Sequence, residues 1–149
     1  MKAQMLRKLL LPIDLTEPAF ATRALEEAQR LAKPFNSEVR LVNAQSLIPI
    51  RFLDYVPGDF DKDLESNVRK ALEAEMAALA EKIELPQGRV SSVVLFGPVH
   101  HMILEEAERW GADLILISSH RPGMERFLIG SNASAIVKQA KCSVLVLRG

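Results

Sequence analysis

The chain of 149 residues has one cysteine, no net charge and no long apolar run, and each scarcity excludes a class of protein. One cysteine cannot form an intramolecular disulfide, so Cys142 fits a reducing compartment, and beside an apolar strand we expect it to be an inert thiol. The zero formal charge comes without a basic cluster, which argues against a nucleic-acid partner. No stretch approaches the roughly 18 apolar residues that a membrane span requires.

The beginning of the chain also lacks the features of a secretion signal. Positive charge precedes an apolar run, but that run, Leu9 to Ile13, is too short and ends in Asp14. We therefore expect a cytoplasmic protein. The length, with 48% hydrophobic residues, fits a single domain over residues 1–149 with a core of its own.

Familiar catalytic and metal-binding patterns are missing as well. The sequence has neither a Walker lysine motif nor the strand-turn-helix elbow of a Ser–His–Asp hydrolase. The histidines are His100, His101 and His120, and adjacent histidines at a helix start usually point to different sides. No Cys/His cluster has zinc spacing, so we expect no metal centre.

Apolar runs and amphipathic stretches instead alternate along the chain, which is typical of strands and helices in an α/β fold. The stretch from Gln45 to Gly58 is the least regular, with apolar side chains between its prolines. The predicted strands are Leu6–Ile13, Val39–Ala44, Val90–Phe96, Leu114–Ser118 and Ser143–Leu147. The predicted helices follow Thr16, cover Asp59 to Ile83, begin at Pro98 and Val99, and cover Ser131 to Ala140.

Polar residues and glycines mark where several of these helices begin and end. Asp14 or Thr16 can cap the first helix, because their oxygens accept hydrogen bonds from free N–H groups. Ser131 is a candidate N-cap of the last helix. Gly111 is the predicted C-cap of the helix before the fourth strand.

This alternation predicts an open, Rossmann-like sheet of five parallel strands in the order 3-2-1-4-5, with helices on both faces. Ligands bind such sheets beyond the carboxyl ends of the strands, where the strand order reverses. In this order the reversal lies between the first and fourth strands. It would place Asp14 beside Ser118, Ser119 and His120.

The stretch from Ile117 to Ser131 has two interpretations. A strand that runs into small polar residues, followed by a Gly-Ser helix start, is typical of an anion or phosphate site, because the first N–H groups of a helix are unpaired. The alternative is an ordinary strand-to-helix connection capped by Ser131.

The chain resembles the universal stress proteins nearly end to end. The first strand ends in Pro12-Ile13-Asp14, and Gly97-Pro98-Val99 is similar to the family's Gly-x-Pro, with the proline one place early. Ser118-Ser119-His120 and Leu128-Ile129-Gly130-Ser131 follow, before the last strand and its flanks from Cys142 to Arg148. The family shares its fold with the adenine nucleotide α-hydrolases. Their histidine-rich or Ser-Gly-Gly motifs for adenylyl transfer are missing here.

The resemblance implies a site for ATP or AMP, with or without Mg²⁺. Asp14 would accept hydrogen bonds from ribose or adenine, Ala44 would offer backbone groups to the adenine edge, and Gly97 would allow close approach of the backbone. The remaining members would line the phosphate channel or donate to phosphate oxygens. The implied site residues are Pro12, Ile13, Asp14, Ala44, Gly97, Ser118, Ser119, His120, Arg121, Gly130, Ser131 and Asn132.

The phosphate loop departs from the family pattern Gly-x2-Gly-x9-Gly-Ser/Thr. Ser118 and Arg121 occupy the first two glycine positions, and the spacing to Gly130 is one residue shorter. The Ser-His-Arg-Pro sequence is similar to an F and G type branch of the family. Arg121 would either block the channel or contact phosphate in a bidentate manner.

Two classes of function are therefore open. One is a regulatory stress protein that binds an adenine nucleotide, with slow ATP hydrolysis at most. The other is a dimeric interaction module of the same fold with an empty or blocked site. Ser143–Leu147 is apolar and lies at the predicted sheet margin, so we expect a homodimer, or a tetramer built from it, through this edge.

Overall fold

A computed structural model describes residues 6–46, 58–118 and 130–148, with only the backbone described for 58–64. The strands are β1 Lys8–Pro12, β2 Glu38–Gln45, β3 Val90–Phe96, β4 Leu114–Ser118 and β5 Ser143–Leu147. The helices are α1 Pro18–Ala32, α2 Gly58–Glu81, α3 Val99–Trp110 and α4 Ser131–Gln139, with a short 3-10 turn at Lys33–Phe35. The irregular stretch with Ile48, Ile50, Phe52 and Tyr55 lies outside the described residues.

The strands form one sheet in the order β3-β2-β1-β4-β5, and each neighbouring pair is parallel, which confirms the predicted fold. β1 is in register with β2 along its whole length, from Lys8 to Pro12. It is in register with β4 only at Leu9 and Leu10. Beyond Leu10 the two central strands separate, at the point where the strand order reverses.

The sheet buries a hydrophobic core on each face. One core joins β1 and β2 to α1 and α2, with Met76 fully buried on the long helix. The other joins the opposite face to α3 and α4, with Ile103 and Ile136 buried. The helices follow the order of the crossovers, so α1 and α2 cover one face and α3 and α4 the other. None of the described helices is long and apolar enough to cross a membrane.

The predicted strand bounds agree with the structure better than the predicted helix caps do. β3, β4 and β5 have the predicted bounds, and β1 is shorter than predicted at both ends. The last helix begins at Ser131 as predicted, but Gly130 takes the N-cap position, so the alternative in which Ser131 is the cap is wrong. The first helix is not capped by Asp14 or Thr16 either, because its N-cap is Glu17, with no side-chain cap bond. Gly111 is confirmed as a C-cap in the left-handed conformation.

The two edges of the sheet differ in their protection. On the β3 edge, Arg69 of α2 donates from Nη1 to the carbonyl of Val94 at 3.1 Å, and its guanidinium lies 4.6 Å from the centre of the Phe96 ring. Gly97 donates to Gln45 on β2, so the alternation of a strand turns the Val94 carbonyl to the outer side. Arg69 thus occupies a backbone acceptor that an added strand would need.

A buried ion pair fixes α3 against the sheet. Glu106 is 0% exposed, and its Oε2 accepts from Arg40 Nη1 at 2.8 Å, while its Oε1 accepts from Arg109. Arg40 also donates to Ser91 at 3.0 Å and lies 4.9 Å from the centre of the Trp110 ring. The fully buried carboxylate therefore has a hydrogen-bond donor on each oxygen.

We expect Glu106→Gln to destabilise the protein by about 2 kcal/mol, because the buried Arg40 contact loses its counter-charge. The free energy of unfolding in urea measures the change. Glu105→Gln on the preceding residue is the matched control, since Glu105 is exposed and pairs only with the exposed His101 in the described contacts. Equal stability of the two variants would contradict a structural role for the buried pair.

Candidate functional site

A cleft of about 390 Å³ opens at the carboxyl ends of the strands, where β1 and β4 separate. Its described walls come from the ends of β1, β2 and β4, from α1 and α3, and from the start of α4. Seven of the residues implied by the family resemblance line it together: Pro12, Ile13, Asp14, Ala44, Ser118, Gly130 and Asn132.

The turn after β1 presents Asp14 at the rim of the cleft. Its Oδ1 accepts from the backbone N–H of Thr16 at 2.9 Å and from the Thr16 hydroxyl at 2.6 Å. Such a turn holds an exposed carboxylate in place without a helix cap. Its second oxygen, Oδ2, is the acceptor that remains for a ligand hydroxyl or amine.

The end of β2 contributes a buried amide that the sequence prediction missed. Asn43 is 2% exposed and donates from Nδ2 to the carbonyl of Ile13 at 2.9 Å. Its Oδ1 accepts from Gln45 Nε2 at 2.8 Å, and both side chains line the cleft. Ile13 also donates its N–H to the Val42 carbonyl at 2.8 Å. Asn43 therefore ties the turn that carries Asp14 to the neighbouring strand.

A signal for Asn43 was present in the sequence. It stands inside Val39-Arg40-Leu41-Val42-Asn43, at a position of a central strand where an apolar side chain would otherwise be buried. A buried amide needs hydrogen-bond partners, and the ends of strands supply them. Thr16, Glu17 and Gln45 are further polar residues of the cleft wall that the resemblance did not supply.

The first turn of α4 brings polar groups to the opposite wall. The first described bond within the helix runs from the Ser134 N–H to the Gly130 carbonyl, so the preceding N–H groups have no partner inside the helix. The helix has no side-chain cap bond. Asn132 lines the cleft, and its Oδ1 lies 3.3 Å from His100 Nδ1 of α3.

Two residues of the implied site lie outside the described lining. Ser131 is exposed at the first position of α4. Gly97 is buried at the end of β3 with φ +150°, and a Cβ there would lie 2.9 Å from Met102 Sδ. The positive φ favours glycine at this position, whereas the flexible Met102 side chain could move to admit a Cβ. Ser119, His120 and Arg121 lie outside the described residues.

The other candidate groups do not assemble into a second chemical centre within the described ranges. No three His, Cys, Asp or Glu side chains gather there as metal ligands. Cys142 is half-buried at a separate cavity of about 340 Å³ between the ends of α3 and α4. Burial raises the pKa of its thiol, which lowers the thiolate fraction at neutral pH.

The class of protein follows from these features: an open, doubly wound α/β protein with a ligand-sized cleft at its switch point. Residues 5–148 match the model of the universal stress protein family. The chain belongs to the universal stress protein family.

Relatives and solved structures agree with this assignment. Universal stress protein G of Shigella flexneri is 28% identical over 148 residues, covering 97% of this chain and 100% of the relative. The structure of hypothetical protein MJ0577 has a TM-score of 0.73 at 25% identity and covers 97% of each chain.

Two solved members of the family contain adenine nucleotides. A universal stress protein in complex with cAMP has a TM-score of 0.64 at 17% identity, covering 97% of this chain and 98% of the other. The Archaeoglobus fulgidus protein in complex with dAMP has a TM-score of 0.63 at 18% identity, covering 97% and 99%. At these identities the likeness extends to the fold, and the ligands are properties of those proteins.

We expect Asn43→Leu to destabilise the protein by about 1–3 kcal/mol, because the buried Ile13 carbonyl loses its donor while the branched shape of the side chain is kept. Urea denaturation measures the loss. Asn67→Leu, the same change at an exposed position of α2, is the matched control. Equal unfolding midpoints for the two variants would contradict the role assigned to Asn43.

Proposed function

We propose that this universal stress protein binds an adenine nucleotide, ATP or AMP, and that occupancy of the cleft regulates its contacts with partners in a stress response. The observation that carries the proposal is the convergence of seven implied site residues from separate parts of the chain on one cleft. They lie up to 120 residues apart in sequence, from Pro12 to Asn132. The cleft of about 390 Å³ falls in the range of small-molecule sites.

The chemistry of the two walls suits the two ends of a nucleotide. On the β1 and β2 side, Asp14 supplies an exposed acceptor and Gln45 an amide, which suit ribose hydroxyls and a base. On the α4 side, the N–H groups of the first turn and the positive end of the helix dipole favour phosphate. Apolar side chains such as Val99 and Ile103 lie between the two walls and suit the face of a base or sugar.

The family relatives with cAMP and dAMP support the same ligand class, an adenine nucleoside that carries phosphate. Arg121, which lies outside the described residues, would either block the phosphate channel or contact the phosphate. We propose that the nucleotide binds with or without Mg²⁺.

We propose that the cleft binds the nucleotide without hydrolysing it efficiently. Asp14 and Glu17 are the carboxylates in the described lining, and Thr16 occupies one oxygen of Asp14. Efficient hydrolysis needs a general base within reach of the attacking water. A site that binds the substrate and the transition state equally well does not accelerate the chemical step. The described lining therefore supports slow hydrolysis at most.

A second candidate function is that of a dimeric interaction module, and an observation at the other sheet edge favours dimerisation. β5 is the outer strand beside β4, and Leu145 on it is 38% exposed in the single chain. The β3 edge has Arg69 on an outward carbonyl, whereas β5 is a continuous apolar strand without Pro, Gly or Lys. We propose that two copies pair through Ser143–Leu147 about a two-fold axis, with or without further assembly to a tetramer.

We expect the wild-type protein to bind ATP, ADP or AMP in isothermal titration calorimetry at millimolar ligand or below. Gly130→Val should weaken binding at least about tenfold, because a side chain is added at the cleft wall beside the phosphate donors. Gly130 has φ −57° and ψ 156°, which valine also adopts, so the helix start should be kept.

Lys138→Val is the matched control for this variant, since it places the same side chain on the exposed face of α4, away from the cleft. It should bind like the wild type. If the wild type binds none of the nucleotides at millimolar concentration, the interaction-module function replaces this proposal.

The dimer is tested by Leu145→Lys, which places a charge on the exposed side of β5. We expect a dimer for the wild type at micromolar concentration and a monomer for the variant, by light scattering. Val146 is a poorer position, because it is half-buried against the core and a charge would disturb the fold. Phe35→Lys, at an exposed side chain on the 3-10 turn, is the control and should stay dimeric. A dimeric Leu145→Lys protein would exclude this interface.

A further inference from the structure

The two adjacent histidines of α3 have different surroundings. His100 is half-buried in the first turn, and its Nδ1 lies 3.3 Å from Oδ1 of Asn132, the second residue of α4. His101 is exposed, and its Nε2 lies 3.5 Å from Glu105, one turn along the same helix. One histidine therefore connects two helices at the cleft, and the other belongs to the outer surface.

The His100 contact affects the cleft because Asn132 lies in the cleft wall. Asparagine near the start of a helix tends to use its side-chain oxygen as an acceptor for free N–H groups of the first turn. Those N–H groups are the ones that an anion in the cleft would need. Because Oδ1 faces His100 Nδ1, the contact fixes which end of the amide points to α3, and the other end, with its two N–H donors, is left for other partners.

We infer that His100 is a positioning residue for phosphate, which orients the Asn132 amide so that its donors and the first N–H groups of α4 serve an anionic ligand. The inference rests on the proposed nucleotide function and deepens it. It requires the ring tautomer with the proton on Nδ1, because Asn132 Oδ1 can only accept. His101 has no part in it.

The experiment compares ligands with and without phosphate. Dissociation constants for ATP, AMP and adenosine are measured by calorimetry for the wild type, His100→Ala, His100→Asn and His101→Ala. For His100→Ala we expect ATP and AMP to bind about fivefold to tenfold more weakly, the effect of about one lost polar contact, with adenosine unchanged. His100→Asn should recover most of the affinity, because its Nδ2 donor can take the place of Nδ1–H. His101→Ala should match the wild type.

The outcomes separate the inference from the proposed function. If no ligand binds to the wild type, both are overturned. If the wild type binds ATP and His100→Ala binds it equally well, the nucleotide function stands and the inference is wrong. Equal losses for adenosine and ATP would also overturn it, since a general disturbance of the fold would act on both.

The tautomer gives a readout that needs no ligand. In ¹H–¹⁵N spectra recorded above the titration range of the ring, we expect His100 to carry its proton on Nδ1, and His100→Asn identifies its signals. A ring with the proton on Nε2 would leave Asn132 Oδ1 without its donor, and this result would overturn the inference.

Discussion

The separation of β1 from β4 is the constraint on which the site depends. The two strands share register only at Leu9 and Leu10, whereas β1 with β2 and β4 with β5 stay paired along their lengths. β1 leads through α1 to β2 and β4 leads through α4 to β5, so the two crossovers leave the gap in opposite directions. A cleft is thus a consequence of topology, and the residues at the strand ends determine what it can hold.

The polar groups exposed by this separation are largely satisfied by short contacts within the protein. Asn43 holds the Ile13 carbonyl, and Thr16 holds one oxygen of Asp14. These bonds fix the turn after β1 before any ligand arrives, which lowers the ordering cost of binding. The start of α4 is arranged differently, because its first N–H groups have no side-chain cap. A preformed turn on one wall, and on the other a helix start without a side-chain cap among the described residues, give the cleft its polarity.

The sequence supported the strands, because burial on both faces produces continuous apolar runs such as Leu114–Ile117. The alternation of strands and helices supported the parallel sheet, and the family resemblance supplied the seven residues that line the cleft. The helix caps were harder to predict from the sequence. Asp14, Thr16 and Ser131 all have the chemistry of an N-cap, but the chain path from the sheet sets which residue precedes the first turn. Glu17 and Gly130 hold those positions without a side-chain bond. Tertiary geometry outweighed local preference at both sites.

Contacts between polar side chains far apart in sequence could not be predicted either, because they also depend on tertiary geometry. Arg40 and Glu106 lie 66 residues apart, and His100 and Asn132 lie 32 apart, so neither pair has a spacing that a periodic pattern reveals. Both pairs join α3 to its neighbours, Arg40 from the sheet and Asn132 from α4. The buried pair anchors the later part of α3, and His100 in its first turn contacts Asn132 of the cleft wall. A helix held firmly at Glu106 can thus present His100 to Asn132 at a fixed distance, which links core packing to the polarity of the site.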